Sequence, residues 1–142
     1  MSAFTVRFNK ITRTLTCDVD ATSYLGVKQT VKVKALWDTG ATKSCISQNL
    51  ADLIDLFPVG NDFLTSATET KQVPEHFISL RLPNRLRFQA RVMEIPKLQV
   101  CDILIGMDVI GLGDFAVSNY DGKTQFTFRY PSKEPVSFVP AK

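Results

Sequence analysis

The sequence is poor in metal-binding and nucleophile-activating groups. It holds one histidine, His76, and three cysteines, Cys17, Cys45 and Cys101, among 142 residues. One histidine cannot complete a zinc site by itself, and there is no Cys-x-x-Cys pair or His-Glu-x-x-His segment to supply further ligands. No metal and no cofactor is expected. Nucleophilic serine or cysteine chemistry usually calls on a histidine base. No motif brings Cys45 and His76 together, and Pro74-Glu75-His76 reads as an exposed turn. The odd cysteine count and wide spacings argue for three reduced thiols, with Cys45 a core packing residue.

Long apolar runs are also missing, so no membrane partner is expected. Met1–Arg7 shows no basic region followed by an apolar core. A secretory signal is therefore not expected, and the cytoplasm is the expected location. Charge of either sign is modest, with a formal net charge of +3. The basic residues fall in stripes, Lys28, Lys32 and Lys34, then Arg81, Arg85, Arg87 and Arg91, which on alternating strands mark solvated outer faces. A nucleic-acid partner would want a denser cluster with interleaved aromatics, so none is expected. Internal repeats, low-complexity tracts and linkers are lacking. Residues 1–142 read as a single domain, with 131–142, broken by Pro131, Pro135 and Pro140, as a loosely held tail.

What is present is mostly strand. Phe4–Phe8 alternates, and Ile11–Val19 carries Leu15, Cys17 and Val19 at period two, so the two read as a hairpin or meander around Asn9-Lys10. Val31–Ala35 alternates cleanly before Leu36 and Trp37 make the strand apolar on both faces. Ser47 is a candidate N-cap for a helix carrying Leu50, Leu53, Ile54 and Phe57 at i, i+3, i+4 and i+7, ended by Pro58 and Gly60. Phe63–Val73 reads as a hairpin with a small polar tip. Phe77–Leu82 and Leu86–Ile95 read as strands joined through Pro83-Asn84-Arg85. Phe115–Asn119 and Thr124–Tyr130 read as a hairpin across Asp121-Gly122.

Two segments carry chemistry. Residues 35–42 read Ala-Leu-Trp-Asp-Thr-Gly-Ala-Thr: an apolar strand delivers one carboxylate, Asp38, into a tight loop. Gly40 lets the backbone turn closely, and Thr39 offers a hydroxyl. Asp-x-Gly alone is an ordinary turn sequence. Well downstream, however, comes Ile103-Leu104-Ile105-Gly106-Met107-Asp108. Asp-Thr-Gly-Ala-Thr followed by Ile-Leu-Ile-Gly in a chain this small resembles the retropepsin-like (retroviral-type) aspartic proteases, over roughly Val31 to Phe128. The Met107-Asp108 pair after the glycine resembles the cellular and bacterial branch more than the viral one.

The resemblance implies an all-β fold, a retropepsin-like acid-protease half-barrel with one or two short helices. It implies that Asp38 is catalytic and that Thr39, Gly40, Ala41 and Thr42 build its loop. Ile103, Leu104, Ile105 and Gly106 would pack against that loop in a crossed psi motif. Ser66, Ala67, Thr68, Glu69 and Thr70 would form a flap over substrate, stiffer or shorter than the glycine-rich viral one. Asp108 would cap the short helix or pair structurally. Aspartic-protease chemistry uses two carboxylates sharing one proton. With one Asp-Thr-Gly per chain, activity implies a homodimer, Asp38 meeting Asp38 of a second copy, with strands such as Thr124–Tyr130 at the interface and a peptide or protein as substrate. The competing reading is a non-catalytic dimeric peptide-binding domain on the same scaffold.

Overall fold

Alternating burial along the strands sorts them into two sheets around a shared aromatic core. The structure is a computed structural model and describes residues 2–23 and 29–142, so Lys28 of the first basic stripe lies outside the described residues. Among the described residues ten strands occur in the order β1 (Ser2–Arg7), β2 (Thr16–Ser23), β3 (Thr30–Trp37), β4 (Cys45–Ser47), β5 (Gly60–Thr65), β6 (Thr70–Arg81), β7 (Arg87–Ile95), β8 (Ile103–Ile105), β9 (Asp114–Ser118) and β10 (Gln125–Tyr130). Two short helices, α1 (Gln48–Leu53) and α2 (Met107–Ile110), follow β4 and β8.

The larger sheet runs β2-β3-β8-β4-β7-β6-β5. Asp20–Ser23 of β2 also pair with Ile78–Arg81 of β6, which closes the sheet into a barrel and leaves β5 outside the ring. The smaller sheet is β1-β10-β9. Its Phe4, Phe126 and Phe128 are buried against Trp37, whose ring lies 5.1 Å from Phe128 and stacks on Phe115 at 5.6 Å. Full burial of such side chains is worth about 1.5–3 kcal/mol each. Because Trp37 is the last residue of β3, this cluster fixes the strand end immediately before Asp38. The Trp37 indole N–H donates to the Cys17 sulfur at 3.3 Å.

The all-β expectation holds, and so do the strands flanking Pro83–Arg85 and the β9–β10 hairpin. In the latter turn Asp121 and Gly122 both take left-handed dihedrals, φ 55° and 70°. Two expected elements differ. Phe4–Phe8 and Ile11–Val19 do not form a hairpin. β1 pairs with β10, Ser2 opposite Tyr130 through Arg7 opposite Gln125, while β2 pairs with β3 and β6. The intervening backbone is held by Thr124, which accepts from the Phe8 N–H and donates to the Lys10 carbonyl. The helix after Ser47 ends at Leu53, not Phe57. Asp55 takes a left-handed φ of 51°, the Leu56 N–H turns back to Ala51, and Leu53 and Phe57 are left exposed.

Beyond Tyr130 the chain forms neither helix nor strand. Its start is tied to Asp114, which accepts from the Ser132 hydroxyl (2.5 Å), the Lys133 N–H (2.8 Å) and Arg129 Nε (2.6 Å). The Ser132 hydroxyl, then the Lys133 N–H and Arg129, hold the Asp114 carboxyl well below its usual range. A carboxyl depressed in the folded state stabilises above its unfolded value, about 3.9. That contribution declines as pH falls below this value. Asp114→Asn should therefore lower the urea midpoint at about pH 6, with the gap to the parent narrowing toward about pH 2. An equal gap at both pH values would refute this.

Candidate active site

Asp38 stands where β3 stops alternating. Ala35, Leu36 and Trp37 pair in parallel with Ile103, Leu104 and Ile105 of β8, and the Asp38 N–H extends the ladder to the Ile105 carbonyl at 2.9 Å. The chain then turns. Gly40 N–H donates to Asp38 Oδ1 at 2.9 Å, and Ala41 N–H donates to the Asp38 carbonyl at 3.2 Å. The Asp38 side chain is thus oriented by its own loop while remaining half-buried, with Thr39 and Gly40 exposed beside it. Among the described residues the Thr39 hydroxyl has no partner within the chain.

The loop is locked from behind by the second segment. β8 lies between β3 and β4, parallel to the first and antiparallel to the second, so the chain after Asp38 crosses to the far side of Ile103–Ile105. Gly106 fits where a side chain would not. A Cβ there would lie 2.8 Å from the Ala41 carbonyl oxygen and 2.9 Å from the Lys43 carbonyl carbon and oxygen. Met107 N–H donates to that Ala41 carbonyl at 2.8 Å. Ile103, Leu104, Ile105 and Gly106 therefore do meet the loop of residues 38–42. Thr42 is exposed on its outer side.

Ser44 is a site residue that sequence reasoning missed. It is fully buried, its hydroxyl accepts from Gly106 N–H (3.0 Å) and donates to Asp108 Oδ1 (2.7 Å), and its own N–H donates to Asp108 Oδ2 (2.9 Å). Asp108 Oδ1 also accepts from Val109 N–H at 3.0 Å, so its role is structural. The available signal was slight: a serine directly before the apolar pair Cys45-Ile46, with a carboxylate two residues beyond the downstream glycine. Asp108→Ala leaves the Ser44 N–H and hydroxyl without their acceptor, at a cost of about 1–3 kcal/mol. Urea unfolding should show this loss, with Asp108→Asn retaining part of it. An unchanged midpoint for Asp108→Ala would contradict the assignment.

The β5–β6 hairpin turns at Ser66–Glu69 without glycine because a side chain closes it. Ser66 N–H donates to the Glu69 carbonyl at 2.8 Å, and Ser66 Oγ accepts from Glu69 N–H at 3.2 Å and Thr68 N–H at 3.4 Å. Ser66, Ala67, Thr68, Glu69 and Thr70 are all exposed. At the hairpin's base Asp62 forms an ion pair with Lys43, which tethers β5 to the chain just beyond Ala41. Under the hairpin lies a second apolar cluster, separate from the main core: Cys45, Val73 and Met93, with Leu64, Ile95 and Leu104 packed on it.

His76 is not in an exposed turn. It lies within β6 opposite Val92, is 1% exposed, and its Nε2 is 2.9 Å from Glu94 Oε1. Cys45 and Glu75 both pair with Met93, and alternation sends the next residue, His76, to the opposite face. Burial, with the Asp108 charge adding to it, pushes the Cys45 thiol up to about 11. A Cys45–His76 dyad is ruled out by direction and by thiolate cost.

Solved structures share this fold. A retropepsin-like aspartic protease from Rickettsia conorii superposes with a TM-score of 0.55 at 12% identity, over 89% of this chain and 93% of that one. The EIAV protease, in complex with an inhibitor, gives a TM-score of 0.53 at 13% identity, over 73% of this chain and 90% of that one. No protein-family model matches the sequence, and no curated protein matches it. At these identities the likeness is one of architecture. The chain has the fold of the retropepsin-like aspartic proteases.

Proposed function

We propose that the protein is an aspartic endopeptidase whose two catalytic carboxylates are Asp38 from each of two copies. The observation that carries this reading is the placement of Asp38. A single carboxylate, half-buried, is oriented by Gly40 N–H at the end of a strand whose last inward residues, Ala35 and Trp37, are buried. Among the described residues no second carboxylate hydrogen-bonds to it, so alone it has none with which to share a proton. Brought to its copy across a two-fold axis, it does, because two like charges at hydrogen-bond distance cannot both ionise.

In that dyad the ionised carboxylate removes a proton from water as the water oxygen attacks the scissile carbonyl carbon. The protonated carboxyl gives its proton to the carbonyl oxygen. Collapse of the tetrahedral species breaks the C–N bond: the proton taken from water passes to the leaving amine, and one hydroxyl of the diol re-forms the carbonyl by returning its proton to the other carboxylate, so the dyad again holds one proton. The unpartnered Thr39 hydroxyl is available to bond across the axis. The exposed Ser66–Thr70 tip serves as the flap over an extended peptide. The partly exposed rim of the second apolar cluster, Leu64, Ile95 and Leu104, offers a floor for an apolar substrate side chain. Three unpaired cysteines suit work in a reducing compartment, and we place the activity in the cytoplasm.

The test is incubation of the pure protein with a random peptide library across pH, beside Asp38→Asn. Cleavage by the parent alone supports the reading. Peptides retained but uncut by both proteins would replace it with a peptide-binding domain.

A further inference from the structure

The barrel carries a cleft that cleavage at Asp38 does not use. It lies where β2 closes on β6, and its volume of about 400 Å³ suits a small-molecule-sized group. Strand register builds it in two rows. In the first, Asp20 of β2 stands opposite Arg81 of β6, and Arg81 stands opposite Arg87 of β7. Two residues along, on the same face, Thr22 stands opposite Ser79, and Ser79 opposite Gln89. All six line the cleft, Thr22 and Ser79 half-buried, Arg81, Arg87 and Gln89 exposed.

The first row is out of balance. Like charges directly opposite on neighbouring strands repel, yet Arg81 faces Arg87. Among the described residues neither guanidinium has a hydrogen-bond or ion-pair partner within the chain. Asp20 also stands opposite Lys32 of β3, so one carboxylate sits among three cations. Arg91, two rows from Arg87, shows what a satisfied arginine looks like here: it bonds Glu75 at 2.7 Å and lies over the Phe77 ring at 4.6 Å. The turn between the strands holds Arg81 and Arg87 in opposition. Leu82 N–H donates to the Leu86 carbonyl at 2.6 Å, and Asn84 and Arg85 take left-handed φ values of 58° and 63°.

We propose that this cleft binds a phosphoryl group, its oxygens held by the Arg81 and Arg87 guanidiniums, with the Ser79 hydroxyl and the Gln89 amide as further donors. A carboxylate has two oxygens and occupies one guanidinium fork. A phosphoryl group has three and a charge near −2, which matches two forks. The remaining volume takes the side chain or small molecule that carries the group. Asp20 opposes the anion and limits its affinity. The cleft lies at the Arg81 end of β6, away from the Thr70 end that leads out of the proposed flap, so the site stands apart from any peptide cleavage.

Calorimetric titration of the full chain at constant ionic strength tests this. The probes are inorganic phosphate and a capped single phosphoserine, with capped serine as the blank. Both phosphorylated probes should bind saturably, and the blank should not. Tighter binding of phosphoserine assigns the site to a phosphorylated side chain, and tighter binding of phosphate to a small phosphate ligand; either supports the site. Arg81→Gln and Arg87→Gln should each weaken binding by about tenfold or more. Arg13→Gln, the same change of charge at an exposed position outside the cleft, should not. Asp20→Asn should tighten binding, a gain that a damaged fold cannot produce, so the test stays decisive where an arginine variant fails to fold. No saturable binding of either probe, affinity unmoved by both arginine variants, an equal loss in Arg13→Gln, or weaker binding in Asp20→Asn overturns the proposal.

Discussion

Replacing Asp38 by asparagine should abolish peptide cleavage and leave the chain folded. Asparagine keeps the shape of the side chain and retains an oxygen at Oδ1 to accept the Gly40 N–H. The loop that depends on that bond has no reason to open. What is lost is the titrating group. An amide cannot take a proton from water or hold one for the carbonyl oxygen, so both halves of the dyad lose their chemistry together. General acid–base catalysis by one group is commonly worth about 10²–10⁴ in rate. Here kcat/KM should fall by at least that factor, with an unchanged circular dichroism spectrum and urea midpoint. A variant that cuts peptides as well as its parent would show that Asp38 is not the catalyst.

The second large effect lies sixty-eight positions further along, at Gly106. Its backbone dihedrals, φ −99° and ψ −170°, are open to any residue, so the demand for glycine is one of space alone. A methyl group would press on the carbonyls of Ala41 and Lys43, which are backbone and cannot swing aside. Overpacking of this kind costs about 1–3 kcal/mol. The strain falls on the loop that aims Asp38, and a misplacement of about 1 Å can cost about 10²-fold in rate. Gly106→Ala should therefore lower the urea midpoint and depress kcat/KM together. Gly60→Ala, at a position where a Cβ meets nothing within 4 Å, is the matched control. Wild-type stability and activity in Gly106→Ala would contradict the packing argument.

The parts of this molecule that the sequence revealed are those fixed by local chemistry. Asp38-Thr39-Gly40-Ala41 and Ile103-Leu104-Ile105-Gly106 could be paired because together, in that order, they resemble the retropepsin-like pattern; why Gly106 must be glycine emerged only from the structure. Asp108 was also legible as a structural acid, and Asp121-Gly122 as a turn. What stayed hidden was partnership at a distance. Period-two alternation tells which side of β1 is buried but not which strand lies beside it, so its pairing with β10, Thr5 to Thr127, could not be read. Nor could β10's two neighbours, β1 and β9, be read from alternation alone. His76 looked exposed because proline and glutamate precede it, yet β6 carries all three residues through the sheet. The stripe Leu50, Leu53, Ile54 and Phe57 promised a longer helix. Only Leu50 and Ile54 reach the core, and the left-handed turn at Asp55 ends the repeat.

The central claim, one active site built by two chains, is tested most directly by mixing. The parent and Asp38→Asn are exchanged at constant total concentration, and cleavage is measured against the fraction of parent. If every site needs Asp38 from both copies, activity follows the square of that fraction, so an equal mixture retains about one quarter of the parent rate. Activity that falls in direct proportion, to about one half in the equal mixture, would mean that each chain works alone and would contradict the account.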